Sequence, residues 1–144
     1  MEYLLALETS CDESAVAILT TENDAPKLVD AEISSQINIH RQYGGVVPEV
    51  ACRNHSVTLP EIVRDVLRRN RLDIKNDFVG FAATGGPGLS SSLLIGHSMA
   101  KGMALATGKP FYSVNHMEGH LLSPFIPRAS AEVPPHLALS LIHI

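Results

Sequence analysis

His116-Met117-Glu118-Gly119-His120 sets two imidazoles four residues apart. On a helix that spacing turns both rings to one face, a turn from each other. Neutral imidazole is the commonest side-chain metal ligand and suits zinc and iron alike, so two on one face can grip a single ion. The same pair can instead cap a helix or pack beneath a loop, and an isolated H-x-x-x-H does not choose between these uses. Glu118 narrows the chemistry. A zinc endopeptidase carries its glutamate directly after the first histidine, or directly before the second in the inverted motif. Glu118 occupies neither place, at least about 100° around a helix from where the protease base belongs. Peptide hydrolysis is therefore poorly supported, and a metal that anchors a substrate stays open.

Two further stretches hold groups that could do chemistry. Glu8-Thr9-Ser10-Cys11-Asp12-Glu13 gathers hydroxyls and carboxylates between two apolar runs. Ser, Thr and Asp favour turns for backbone reasons alone; the functional alternative is a loop that meets phosphate oxygens or an associated divalent cation. Thr84-Gly85-Gly86-Pro87-Gly88-Leu89 lies between an apolar run and a helical pattern. Strand, glycine turn and helix together can place an anion at a helix N-terminus, although the spacing matches neither the Walker nor the Rossmann fingerprint. Arg64, Arg68, Arg69 and Arg71 gather near a helix end. Cations favour helix C-termini, so a solvated end is the default there and RNA contact the alternative.

The elements that must position these residues follow from periodicity. Tyr3–Leu7 and Ser14–Leu19 are apolar runs around the first polar turn, and a third strand covers Lys27–Gln36 after the turn Glu22–Pro26. Short connections make these three an antiparallel meander. His40–Gly45 is a loop with a glycine pair. Pro48 suits the first turn of a helix that runs to about Asn70 on the stripe Val50, Val57, Ile62 and Val66, with a kink or break expected just before Pro60. Phe78–Ala83 is a strand. The helix that follows the glycine turn carries Gly96, Ala100 and Ala104 as a smooth face for close packing and ends at Gly108. Phe111–Asn115 is a strand that leads straight into the histidine pair. Pro124, Pro127, Pro134 and Pro135 keep an extended connection before a last strand from His136 to Leu139.

The totals bound the class. A chain of 144 residues with 45% hydrophobic content is enough for one domain with a core. Its net charge of −4 offers no broad basic surface for nucleic acid. Among seven histidines only His116 and His120 cluster in sequence, and the two cysteines, Cys11 and Cys52, are too few for a secreted disulfide framework. Met1–Glu8 has no basic leader and no apolar run approaches the ~18 residues of a membrane span. A reduced, cytoplasmic setting with no membrane partner is expected.

Three antiparallel strands followed by helix–strand–helix–strand are the order of an α/β, ribonuclease-H-like lobe, of which actin, heat-shock chaperones and sugar kinases carry two around an ATP cleft. Four motifs in order narrow the resemblance: Glu8-Thr9-Ser10-Cys11-Asp12-Glu13, Tyr43-Gly44-Gly45-Val46-Val47-Pro48-Glu49, Gly86-Pro87-Gly88-Leu89 and His116-Met117-Glu118-Gly119-His120. From Met1 to about Ala138 the chain resembles the tRNA threonylcarbamoyladenosine transferase family, TsaD in bacteria. The resemblance implies that His116 and His120 ligate one divalent metal, iron(II) or zinc, which holds and polarises a threonylcarbamoyl group. It implies acyl transfer from threonylcarbamoyl-AMP to the N6 amine of the adenosine beside the tRNA anticodon. Asp12 and Glu13 match acidic positions of the family's first loop, near the adenylate phosphate, with a catalytic or positioning role. The implied partners are tRNA as substrate, a TsaB-like paralogue and a TsaE-like ATPase.

The chain also departs from the family. The resemblance calls for a second lobe, a Ser-Gly-Gly-His-Thr segment at the adenylate and a late aspartate as third metal ligand. The corresponding register here reads Ser140-Leu141-Ile142-His143-Ile144. Leu139–Ile144 is also what a common transposase sequencing adaptor encodes in one frame. Residues 1–138 are therefore expected to be the native N-terminal lobe and 139–144 read-through of a truncated gene, so His136 and His143 are assigned to no site. Such a fragment is expected to be inactive alone. The alternatives are a single-lobe metal- or partner-binding module and, with the misplaced glutamate against it, a metallo-endopeptidase.

Overall fold

Alternation of buried and half-buried residues builds the sheet. In the computed structural model, which describes residues 2–22 and 25–123, strand β1 (Tyr3–Glu8) buries Leu5 and Leu7 while β2 (Glu13–Glu22) buries Ser14, Val16 and Ile18. Leu5 pairs opposite Ile18 and Leu7 opposite Val16, so the period of two turns all four to one face. β3 (Ala25–Ser35) pairs antiparallel with β2, completing the expected meander. β4 (Phe78–Gly86) buries Phe78 and Phe81–Ala83 while Val79 is exposed, as befits a strand with a neighbour on each side. It runs parallel to β1, and β5 (Phe111–Asn115) runs parallel to β4 at the edge. The order β3-β2-β1-β4-β5 is that of the ribonuclease-H-like lobe.

Helices α2 (Pro48–Asn70) and α3 (Ser90–Thr107) pack side by side on the face carrying Leu5, Leu7, Val16, Ile18 and Phe81. Leu59, Ile62, Val63 and Val66 are the apolar stripe of α2. Pro48 and Glu49 open it, and Arg71 closes it in the left-handed conformation (φ 57°), its N–H on the Arg68 carbonyl. The helix is unbroken at Pro60, so of the kink or break expected there the break is absent. Proline deprives the carbonyl of residue 56 of its helical donor, but Ser56 and Val57 are exposed, so water can satisfy that group. Two short elements complete the fold. The expected loop at His40 is partly helical, with α1 (Ile37–His40) followed by a 3₁₀ turn (Arg41–Tyr43), and α4 (His116–Leu122) starts directly after β5. The extended connection, the strand at His136 and residues 139–144 lie outside the described residues.

The arginine cluster is partly spoken for. The Arg69 guanidinium forks onto Asp30 of β3, 2.6 and 2.9 Å away, and also meets Glu32, tying the end of α2 to the sheet; Arg68 pairs with Asp65 on its own helix at 2.9 Å. Bonding to Arg69 holds the Asp30 carboxyl below its ordinary range, against a smaller opposing effect of burial.

One contact fixes α3 on the sheet. The Thr9 hydroxyl donates to the Ser92 carbonyl at 2.7 Å and accepts from the Gly96 N–H at 3.1 Å. Those two backbone groups are the i and i+4 partners of an α-helix, so the hydroxyl is wedged into the helical ladder itself. A Cβ at Gly96 would lie 2.7 Å from Thr9 Oγ1, whereas one at Gly102, on the exposed side, meets nothing within 4 Å. Gly96→Ala should therefore lower stability by about 1–3 kcal/mol through overpacking. Gly102→Ala should raise it by about 0.5–1 kcal/mol through helix propensity. Urea unfolding of the two variants beside the parent chain checks both signs; equal midpoints would contradict the close approach.

Candidate functional site

Parallel pairing brings the carboxyl ends of β1, β4 and β5 to one edge of the sheet, where open α/β folds hold their ligands. Glu8 ends β1, Thr84 lies near the end of β4, and Asn115 ends β5. The Asn115 side chain accepts from the N–H groups of Met117 at 2.9 Å and Glu118 at 3.3 Å, capping α4 at the point where the strand becomes a helix. His116 is the first residue of α4 and His120 lies one turn on. Their Nε2 atoms stand 2.9 Å apart with the ring planes at 90°. His116 is largely buried and His120 exposed.

The donor set fits part of a metal site. Two nitrogens bound at roughly 2.0–2.1 Å to one ion stand about 2.9 Å apart at a right angle and about 3.4 Å apart at the tetrahedral angle. The observed separation lies within that span. Among the described residues no group of three or more His, Cys, Asp and Glu converges, so the pair supplies two donors and a complete site needs another. Glu118 is exposed on the same short helix.

Beneath His116 lies Glu8, a residue the sequence alone did not single out. Its Oε2 is 3.4 Å from His116 Nδ1 and accepts from the Thr84 hydroxyl; its Oε1 accepts from the Ser10 N–H. Ser10 Oγ is 3.2 Å from the same Nδ1. Burial pushes the Glu8 carboxyl up, but hydrogen bonds from Ser10 and Thr84, aided by His116, outweigh it and hold the group below its ordinary range. The available signal was positional, because Glu8 ends the strand that becomes central. The glycine turn serves this loop by close approach. Leu89 N–H donates to the Ser10 carbonyl at 2.8 Å, and a Cβ at Gly88 would lie 2.7 Å from that oxygen. Helix α3 then begins at Ser90 without a side-chain cap.

Asp12 and Glu13 face elsewhere. Asp12 lines a cleft of about 360 Å³ with Ile37, His40, Arg41, Gly44, Gly45 and Val46, which joins the first motif to the Tyr43–Glu49 motif. Glu13 is exposed and opens β2 opposite Ser35. Cys11 and Cys52 are free thiols, and burial, followed by neighbouring Asp12, pushes Cys11 up, away from nucleophilic character.

Gln36 links two histidines, His40 in the wall of the cleft and the buried His55. His55 is fully buried; its Nε2–H donates to the Cys11 carbonyl at 2.9 Å while Nδ1 accepts from the Ser14 hydroxyl at 2.7 Å and lies 3.2 Å from Gln36 Nε2. His40 Nδ1 accepts from Val47 N–H at 3.3 Å, leaving Nε2–H to donate to Gln36 Oε1 at 3.2 Å. Neutral tautomers with Nε2 protonated on both rings satisfy the bonds to Cys11, Val47 and Gln36 Oε1, and the one Nδ1 lone pair of His55 faces both the Ser14 hydroxyl and the Gln36 amide. Burial pushes His55 below its ordinary value, although the Cys11 carbonyl and nearby acids pull the other way.

Residues 27–141 match the family model described as "TsaD: tRNA N6-adenosine threonylcarbamoyltransferase". A tRNA N6-adenosine threonylcarbamoyltransferase of Kosmotoga olearia is 47% identical over 131 residues, which are 91% of this chain and 38% of that protein. The chain thus spans well under half the length of this relative. Among solved structures, YeaZ from Pseudomonas aeruginosa is similar with a TM-score of 0.60 and 22% identity, over 87% of this chain and 47% of that one. RuvC of T. thermophilus, in complex with Holliday junction substrate, reaches 0.51 at 13% identity, over 85% of this chain and 72% of that one. At these identities the two structures establish the fold, a single ribonuclease-H-like lobe.

Protonation of His55 must break a bond it accepts. Its native pKa is depressed, so the unfolded chain takes up the proton first as pH falls. Stability contributed by the neutral ring is present above about pH 6.5 and is lost as pH drops below it, by at most about 1.4 kcal/mol per pH unit. Urea midpoints between about pH 5 and 8, above the carboxylate range, should fall on the acid side. His55→Leu should be less stable at the upper end by about 1–3 kcal/mol, with the Ser14 hydroxyl and the Cys11 carbonyl deprived of this partner, and flatter below it. An unchanged slope in that variant would assign the acid sensitivity to another group.

Proposed function

Because the chain belongs to the TsaD family of tRNA N6-adenosine threonylcarbamoyltransferases, we propose that it forms the metal-holding part of such an enzyme, with the activity residing in a longer protein. The observation that carries this is the convergence of two imidazole Nε2 atoms, 2.9 Å apart, on the helix α4 that directly follows the parallel edge strand β5. His116 and His120 hold one divalent cation, iron(II) or zinc. When bound, that cation supplies Lewis-acid polarisation and a template for the threonylcarbamoyl group. The reaction is attack by the N6 amine of the adenosine beside the anticodon on the carbamoyl carbon of threonylcarbamoyl-AMP. A carbon–nitrogen bond forms, AMP leaves, and the amine gives up a proton. Positioning and charge stabilisation suffice for a mixed anhydride, with no protein nucleophile, which agrees with the raised Cys11 thiol.

The remaining assignments rest on placement. Asp12 lines the cleft shared with the Gly44-Gly45 turn, consistent with a positioning role beside the adenylate, and Glu13 flanks it on the exposed side. The uncapped start of α3 lies where Leu89 meets the first loop and suits the adenylate phosphate. tRNA is the acceptor, with a TsaB-like paralogue and a TsaE-like ATPase sharing its recognition. No helix among the described residues is long and apolar enough to cross a membrane. Neither endopeptidase spacing places a glutamate where Glu118 stands, on the exposed side of α4.

The test uses the full-length gene from its source. His116→Ala and His120→Ala should each lose bound divalent metal and reduce threonylcarbamoyladenosine formation on unmodified tRNA by about 100-fold or more, with partner proteins supplied. Product formed equally well without the imidazoles would remove them from the site.

A further inference from the structure

Glu8 ends β1 beneath His116, and three donors surround its carboxylate. Ser10 N–H points at Oε1, the Thr84 hydroxyl at Oε2, and His116 Nδ1 lies 3.4 Å from Oε2. An ionised carboxylate can only accept, so an imidazole nitrogen facing it carries the ring proton. The Ser10 hydroxyl, 3.2 Å from Nδ1, can donate or accept and adapts to that choice. At 3.4 Å the direct bond is long, and Ser10 offers a second route from Nδ1–H to the same acid. A neutral ring protonated on Nδ1 keeps its lone pair on Nε2, the atom 2.9 Å from His120 Nε2. Because lone pairs repel, His120 must donate across that gap. Its ring is exposed, and solvent can exchange its tautomer when a cation takes the proton's place.

We propose that Glu8, held by Thr84 and Ser10, is a positioning residue that keeps His116 in the Nδ1–H tautomer with its Nε2 lone pair aimed at the point shared with His120. A carboxylate behind a ligating histidine sets ring orientation and raises its basicity. The purpose of the arrangement rests on the metal reading above; the tautomer is a property of the chain without metal.

The experiment labels histidine with ¹⁵N in the protein expressed from the full-length gene, free of metal and above the imidazole titration range. Long-range ¹H–¹⁵N correlation reads the tautomer, and His116→Gln identifies the His116 signals. Wild type should show a protonated Nδ1 and a bare Nε2. In Glu8→Gln the amide NH₂ must turn from the fixed Ser10 N–H toward Thr84 and His116, so Nδ1 becomes an acceptor and the proton moves to Nε2. Ser10→Ala should retain the Nδ1–H form. Cobalt(II) titration, followed by visible absorption, should be about 10–100-fold weaker in Glu8→Gln than in wild type. A wild-type His116 protonated on Nε2, or a Glu8→Gln variant that keeps Nδ1–H, overturns the proposal whatever happens with cobalt. The predicted tautomers with no cobalt bound by wild type would uphold Glu8 and sink the metal reading instead. Should Glu8→Gln fail to fold, the wild-type and Ser10→Ala spectra still decide.

Discussion

The site depends on the first loop being held against α3. The Thr9 hydroxyl occupies a helical hydrogen bond of α3, between Ser92 and Gly96, and the next residue, Ser10, is pressed from the other side by Gly88 and bonded to Leu89 N–H. Neither contact leaves room for a methyl group at the glycine concerned. Glu8 and Ser10 therefore reach His116 from a backbone that has little freedom to retreat. Such rigidity suits a cluster whose useful geometry is defined to about half an ångström.

A second anchor works from the opposite side. Ser14, Gln36, His40 and His55 form a buried polar chain that bonds the Cys11 carbonyl and the Val47 N–H. It links the first loop to the turn around Gly44 and to α2, so the walls of the cleft beside Asp12 are set by one connected network. Neutral tautomers of both rings supply most of its bonds, with Ser14 and Gln36 sharing the His55 Nδ1 lone pair. The cleft and the histidine pair thus flank the same six-residue motif.

Local features were legible in the chain itself. The strands, the two long helices and their order follow from hydrophobic periodicity, and His116 and His120 share a helical face because four residues only slightly exceed one turn. Pro60 stands inside an unbroken helix, with the carbonyl it orphans on the exposed side, and exposure is a tertiary property. The arginine cluster divided for a similar reason: Arg69 found Asp30 and Glu32 on a neighbouring strand, 37 to 39 residues away.

What spacing could not reveal is which carboxylate meets the histidines. Asp12 and Glu13 look equivalent to Glu8 in a polar turn, yet successive residues leaving a strand point in different directions. Parallel pairing of β1, β4 and β5 decides between them by carrying Glu8 to His116 across 108 residues and to Thr84 across 76. The union of His40 with His55 through Gln36 is likewise invisible to any local pattern. The five strands, the two long helices and the paired imidazoles were readable from the chain alone, because each depends on neighbours within a few residues. Tertiary structure alone decided the acid behind His116 and the buried histidine network, because hydrogen bonds between distant segments exist only once the sheet register has brought them together.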